Sequence, residues 1–127
     1  MMIRGIGVDL CEIARMEKFT ADSRFVQRFF SEEEREYLLD RGTSLAQTLA
    51  GMYAAKEAFS KALGTGVSGF ELNEVEVLHS PEGQPYYAVS GKALVAQEER
   101  GIARMLLSIS HDGGMAIAFA VGQGPEK

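Results

Sequence analysis

The sequence contains no tryptophan and a single cysteine. Without Trp, any large flat contact falls to Phe, Tyr or Met. The lone Cys11 excludes an intramolecular disulfide. Only His79 and His111 could join it in a soft-metal site, and those three positions carry no zinc spacing; Cys11 reads as a small buried hydrophobe. No apolar run approaches the roughly 18 residues of a membrane span, and the opening MMIRGIGVDL lacks the long apolar region of a signal peptide. A cytoplasmic protein without a membrane partner is expected. Basic residues are also scarce: 13 Lys and Arg against 18 Asp and Glu leave a net charge of −5. That balance argues against nucleic acid as the main partner, because phosphate backbones are held by clustered cations.

What is present suffices for one ordinary domain. The 127 residues can bury roughly two-thirds of their unfolded surface. With 46% hydrophobic and 24% charged residues, the composition is that of a globular chain and too apolar for a disordered one. No repeat, low-complexity tract or linker interrupts it, so a single domain over 1–127 is expected. The charge is uneven, however. Residues 15–28 hold Arg15, Lys18, Arg24 and Arg28 against Glu17 and Asp22, a local +2 that leaves −7 for the rest. A basic island on an acidic chain is either a solvated helix face or a docking site for an acidic partner.

The segment IRGIGVDL (3–10) alternates, with Ile3, Gly5, Gly7 and Asp9 on one strand face and Arg4, Ile6, Val8 and Leu10 on the other. Two glycines on the Asp9 face predict something packed close to the backbone. From 11 to 40 the apolar spacing turns helical through Ile13, Met16, Phe19, Phe25 and Phe29, with Ser31 as N-cap and Glu34 at the capping-box position. Two or three short helices are expected there. A long helix is predicted from near Ser44 to Leu63, closed by Gly64. NEVEVLHS and PYYAVSG flank PEGQ as a hairpin, and 91–101 reads as a short helix. RMLLSIS and MAIAFAV flank HDGG, where Asp112-Gly113 signals a second hairpin. The tail GQGPEK is expected to fray.

Strand, helices, hairpin, helix, hairpin is an α+β order without the regular alternation of a doubly wound sheet. It predicts a mostly antiparallel sheet packed on one long helix plus short helices. The final strand lacks a polar face, so it is central in the sheet or covered by another subunit.

On the long helix, Leu45, Leu49, Met52, Phe59 and Leu63 fall within about 80° of one another, a core stripe. Lys56 falls inside that stripe. An unpartnered buried ammonium is costly, so Lys56 either snorkels to water or meets an anion. Tyr53, Ala54, Glu57 and Lys61 lie on the flank. Glu57 and Lys61 have the i, i+4 order of a surface salt bridge; equally, a carboxylate and an ammonium one turn apart could hold a metal and a phosphate together. Helix geometry does not choose between these. Asp9 adds a second carboxylate on a glycine-bearing strand, and such a pair holds Mg²⁺ beside substrate phosphates. His111, just before the Asp-Gly turn, is either a further donor or structural. Together these residues point to phosphoryl or nucleotide chemistry.

GIGVDLCEIARM, AAKEAFSKALGTG and SISHDGGMAIA, in this order over nearly the whole chain, resemble the holo-acyl-carrier-protein synthases, the small bacterial type of 4′-phosphopantetheinyl transferase. The pairing of G-x-D with K-E-A-x-x-K carries the resemblance. It implies the 4′-phosphopantetheinyl transferase fold and transfer of 4′-phosphopantetheine from coenzyme A to a serine of apo acyl carrier protein, for fatty acid or polyketide biosynthesis. By this resemblance Asp9 and Glu57 are the Mg²⁺ ligands and, with Lys61, the catalytic residues. Lys61 contacts phosphate, Gly64, Thr65 and Gly66 let backbone approach the coenzyme, and His111 lies beside its nucleotide end.

The resemblance further implies a homotrimer with active sites between subunits, which suits the apolar last strand. It also implies that a helix after the first strand docks the acidic carrier protein through Arg15, Arg24 and Arg28, with Phe25 as an apolar contact. Two positions depart from the family's pattern: Met52 where Arg is frequent, removing a coenzyme contact, and Tyr53 where Trp or Phe is common. Lys56 is expected to reach an anion at the site's edge. Two rival readings use the same residues. One is a Mg²⁺-dependent hydrolase of a nucleotide pyrophosphate; the other is a non-catalytic adaptor that binds an acidic protein through residues 15–28.

Overall fold

In the computed structural model, which describes residues 2–64 and 69–125, the chain opens with β1 (Ile3–Glu12) and a 3₁₀ turn (Ile13–Met16). Two short helices follow, α1 (Arg24–Phe29) and α2 (Glu32–Leu39), and a 3₁₀ turn (Gly42–Ser44) leads into α3 (Leu45–Leu63). After a third 3₁₀ turn (Leu72–Glu74) come the hairpin β2 (Val75–His79) and β3 (Pro85–Val89), helix α4 (Gly91–Glu99), and the hairpin β4 (Arg104–Asp112) and β5 (Met115–Gln123). This is the α+β order expected. The antiparallel strands fall into two sheets, β1-β5-β4 and β2-β3. No described helix is long and apolar enough to cross a membrane.

Glycine sets the distance between β1 and α3. A Cβ on Gly5 would collide with the Ala62 carbonyl, and one on Gly7 with the Ala58 carbonyl. The close-packed object that the two strand glycines predict is therefore the backbone of α3 itself. Central β5 keeps the same face flat with buried Ala116, Ala118 and Ala120. Small residues on the helix, among them Ala54, Ala58 and Ala62, complete the seam. Gly7→Ala forces strand and helix apart and is expected to cost about 1–3 kcal/mol; urea denaturation checks this, and an unchanged midpoint would show that the seam has slack.

The outer face of the same sheet is different. Its central position accounts for the two edges of β5, yet Ile117 and Phe119 remain exposed beside Ile6, Val8 and Leu10 of β1. The second hairpin turns one residue later than Asp112-Gly113 suggests. Asp112 pairs with Met115, and the two-residue loop is Gly113-Gly114, with φ of 58° and 80°. A right-handed strand twist favours such a loop with both residues left-handed. The tail is less frayed at its start than expected, because Gly124 donates its N–H to the Met2 carbonyl at 2.8 Å.

The capping box at the start of α2 forms as predicted, with Ser31 N–H donating to Glu34 Oε1 at 2.9 Å. Helix α3 ends at Gly64, whose φ of 79° is left-handed. Lys56 meets an anion, one of its two expected outcomes, but not at the site's edge. It neither snorkels nor reaches the edge of the Asp9 cluster: it is wholly buried and paired with Glu34 at 2.8 Å, tying α3 to α2.

Candidate active site

Three segments converge along one side of α3. Asp9 comes from the helix-facing side of β1, Glu57 and Lys61 from successive turns of α3, and Arg15 from the 3₁₀ turn after β1. Lys61 does not bridge to Glu57. Its Nζ donates to Asp9 Oδ1 at 2.8 Å, and the side chains are 57% and 18% exposed respectively. Hydrogen bonding and charge from Asp9 raise the ammonium's pKa, with a smaller contribution from Glu57. Lys61 is thus an exposed cation resting on a half-sheltered carboxylate.

Cys11 lies buried beneath this group. Burial pushes its thiol upward, Arg15 opposes, and the negative charges of Asp9, Glu12 and Glu57 add to the rise. The thiol is inert. Tyr53 stands one helical turn before Glu57. Burial first, then the charge of Glu57, pushes its phenol up to about 12.

The basic island borders the site. Arg15, Arg24 and Arg28 are exposed, and the Arg28 guanidinium lies 5.1 Å from the Phe29 ring centroid. Phe25 is half-buried. It stacks on Phe19 at 4.4 Å and meets Tyr53 at 5.2 Å, so much of its ring faces inward rather than towards a partner.

His111 is not brought to this cluster. It is level with Cys11 across the sheet, two strands away through Ala116. It lines a separate cavity of about 210 Å³ with Thr48, Gly51, Met52, His79 and Ile109. Met52 is buried in that wall. Tyr37 and His79 stack at 4.0 Å, with Arg41 on the outer ring. Gly64 closes α3 beside Lys61, whereas Thr65 and Gly66 lie outside the described residues.

Two placements around α3 are only partly legible in the sequence. Glu34 is legible only as a cap, although a lysine in a core stripe demands an anion somewhere. Tyr53 falls on the Glu57 flank, and its i, i+4 spacing from Glu57 is the available signal.

A strand carboxylate, a helix carboxylate and a lysine on a strand–helix seam define a class, and the model of the 4′-phosphopantetheinyl transferase superfamily matches residues 5–120. The chain belongs to this family. Within it, the chain is 42% identical over 123 residues to the holo-[acyl-carrier-protein] synthase of Treponema denticola, covering 97% of this chain and all of the relative. It is 42% identical over 127 residues to that of Trichlorobacter lovleyi, with 98% and 100% covered.

Among solved structures, the Neisseria meningitidis holo-[acyl-carrier-protein] synthase superposes with a TM-score of 0.84 at 33% identity, covering 96% of this chain and 99% of that one. The Bacillus anthracis enzyme in complex with CoA (3′,5′-ADP) gives 0.80 at 34%, with 98% and 100% covered.

Proposed function

We propose that the chain is a holo-acyl-carrier-protein synthase. It moves 4′-phosphopantetheine from coenzyme A to a serine of apo acyl carrier protein in the cytoplasm and leaves adenosine 3′,5′-bisphosphate. The observation that carries this reading is the Lys61 ammonium resting on Asp9 beside Glu57, in a chain so similar to holo-[acyl-carrier-protein] synthases. The serine oxygen bonds to the β-phosphorus as the bridging P–O bond breaks, and the leaving phosphate takes up negative charge. Lys61, long and exposed, leaves Asp9 for that phosphate and meets the charge as it develops.

Asp9 and Glu57 fit Mg²⁺. The ion takes oxygen donors, needs only one or two carboxylates, and gives its other positions to water and substrate phosphate. Among the described residues no group of three His, Cys, Asp or Glu converges, so a caged transition metal is a poorer match to the donors. When bound, Mg²⁺ neutralises charge on the pyrophosphate. A carboxylate engaged with a cation is a weak base, so the serine proton passes to water.

The coenzyme's nucleotide end lies against His111, supplied by a neighbouring copy in a homotrimer. Two observations support this arrangement: His111 and Lys61 belong to different sites of one protomer, and the apolar outer face of Ile6, Val8, Leu10, Ile117 and Phe119 is uncovered. Contiguous patches of that kind mark interfaces. Sedimentation equilibrium is expected to return three chain masses; a single chain mass would remove the arrangement.

The carrier docks on Arg15, Arg24 and Arg28, with Phe25 and its neighbours as apolar support. Both proteins are acidic, so local attraction acts against overall repulsion, and transfer at low carrier concentration should fall as salt screens the arginines. Arg15→Glu should raise the KM for carrier several-fold and leave that for coenzyme A unchanged. An equal rise in both would move Arg15 from docking to coenzyme binding.

The deciding experiment incubates the protein with coenzyme A, Mg²⁺ and an apo carrier. The carrier should gain the mass of one phosphopantetheine. Coenzyme A cleaved without that gain would mean a hydrolase, and coenzyme A left intact an adaptor.

A further inference from the structure

A cleft of about 660 Å³ opens between the two sheets, where β3 and β4 approach one another beside α4. A volume of that order suits a small molecule. The width of the first sheet separates it from Asp9, because β5 lies between β4 and β1. β4 pairs only with β5 and β3 only with β2, so each brings an unpaired edge. Residues 103–107 line the cleft without a gap, which sets the edge of β4 against it rather than one pleat face. Val89, Leu94, Met105 and Leu107 give it apolar surface. Gln97, three residues after Leu94 on the same face of α4, is only 5% exposed, and its amide oxygen has no hydrogen-bond partner among the described residues. A buried acceptor in that state calls for a donor. Arg104 is exposed. Among the described residues it forms no ion pair and is the only charged side chain lining the cleft, so the charge the cleft accepts is negative.

We propose that this cleft binds a small aliphatic carboxylate with an internal amide, of the N-acyl amino acid class. The acyl chain lies on Val89, Leu94, Met105 and Leu107, the amide N–H donates to the Gln97 oxygen, and the carboxylate meets Arg104. Each feature excludes a simpler ligand. A hydrocarbon alone would bury Gln97 still deeper without a donor, which is unfavourable. A plain fatty acid supplies the charge for Arg104 but no N–H. Inorganic phosphate would leave the four apolar side chains against water. The ligand's amide oxygen finds its donor among the backbone N–H groups of the strand edges, as an extended amide does when it adds to a sheet. The site stands apart from the transfer reaction, and neither reading depends on the other.

The test titrates the full chain with N-decanoylglycine and follows the methionine methyl groups by ¹³C–¹H NMR, the Met105 signal being assigned with Met105→Leu. Met105 lines the cleft and Met52 lines the His111 cavity, so the two report on different places. The Met105 signal should shift saturably, with a Kd on the order of 0.3 mM for a ligand of this size, while that of Met52 stays fixed. Arg104→Gln should weaken binding about tenfold by removing a charge-assisted contact. Decanoate, which lacks the amide, should bind wild type several-fold more weakly, and Gln97→Leu should erase that preference. Gln97→Leu removes an unpartnered polar group, so its unfolding midpoint should not fall. No shift of Met105 overturns the proposal. Equal binding by wild type, Arg104→Gln and Gln97→Leu also overturns it, since the contact would then be unspecific. Pro85 lies in the walls of both cavities; displacement of N-decanoylglycine by coenzyme A would make the cleft part of the nucleotide site and would likewise overturn a separate one.

Discussion

Lys56→Met is expected to destabilise the fold by about 3–5 kcal/mol, although Met matches the stem of Lys and suits a core. The reason lies in what the ammonium satisfies. Its Nζ donates to Glu34 Oε1 at 2.8 Å, Val75 O at 2.7 Å and Leu72 O at 3.0 Å, which uses all three protons. It also lies 4.8 Å from the Phe30 ring centroid. Glu34 is equally committed, with Oε2 accepting from Val77 N–H at 2.9 Å. Removing Lys56 leaves a buried carboxylate without its counter-ion and takes a donor from each of the Leu72 and Val75 carbonyls at once. Breaking one partner of such a pair costs far more than the pair contributes over an apolar substitute.

The pH dependence separates this account from loss of packing. Burial already raises the Glu34 carboxyl pKa, against the pull of Lys56; without Lys56 it rises further. A group with a raised folded pKa stabilises below its unfolded value, and that stabilisation is lost as pH rises through the folded pKa. Lys56→Met should therefore be least stable at neutral pH and regain ground in mild acid, and adding Glu34→Gln should flatten the profile. Urea midpoints across that range are the measurement. A single variant within about 1 kcal/mol of wild type at pH 7 would mean that water or another group replaces the ammonium.

The same pair shows where the sequence stops being informative. Helical periodicity places Lys56 in the core stripe and so establishes that an anion or an exit to water is needed. It cannot say which, because Glu34 is 22 residues away and on another helix. Other local patterns are readable for the same reason that this one is not: the α3 boundary, the Ser31–Glu34 cap and the strand glycines each depend on a few neighbouring residues. The split into two sheets, the inward turn of Phe25 and the distance of His111 from Asp9 depend on how whole elements pack. Asp9 and Lys61 lie between these cases. The glycines foretell a close seam, and a close seam makes a contact across 52 residues, like that of Lys61 with Asp9, natural, though the i, i+4 rule favours Glu57.

That contact bears on the second large effect. Asp9→Asn and Glu57→Gln are each expected to reduce transfer on the order of 10³-fold at saturating substrates, since each removes charge worth several kcal/mol in the transition state. The folded state should barely register either change. Asp9 is 18% exposed and its partner Lys61 57%, and exposed pairs contribute little to stability. In Asp9→Asn the side-chain amide oxygen can still accept a hydrogen bond from Lys61, so the seam keeps its shape while losing charge. The two variants should differ in one respect. Asp9→Asn frees Lys61 from its resting partner and so should retain or tighten coenzyme A binding when Mg²⁺ is absent, whereas Glu57→Gln leaves the Lys61–Asp9 contact in place. Isothermal titration with and without Mg²⁺, alongside single-turnover transfer, reads both effects. Turnover within about tenfold of wild type in either variant would remove that carboxylate from the metal site. Loss of coenzyme A binding in metal-free Asp9→Asn would mean that Lys61 depends on Asp9 for its placement and does not move from it to the phosphate.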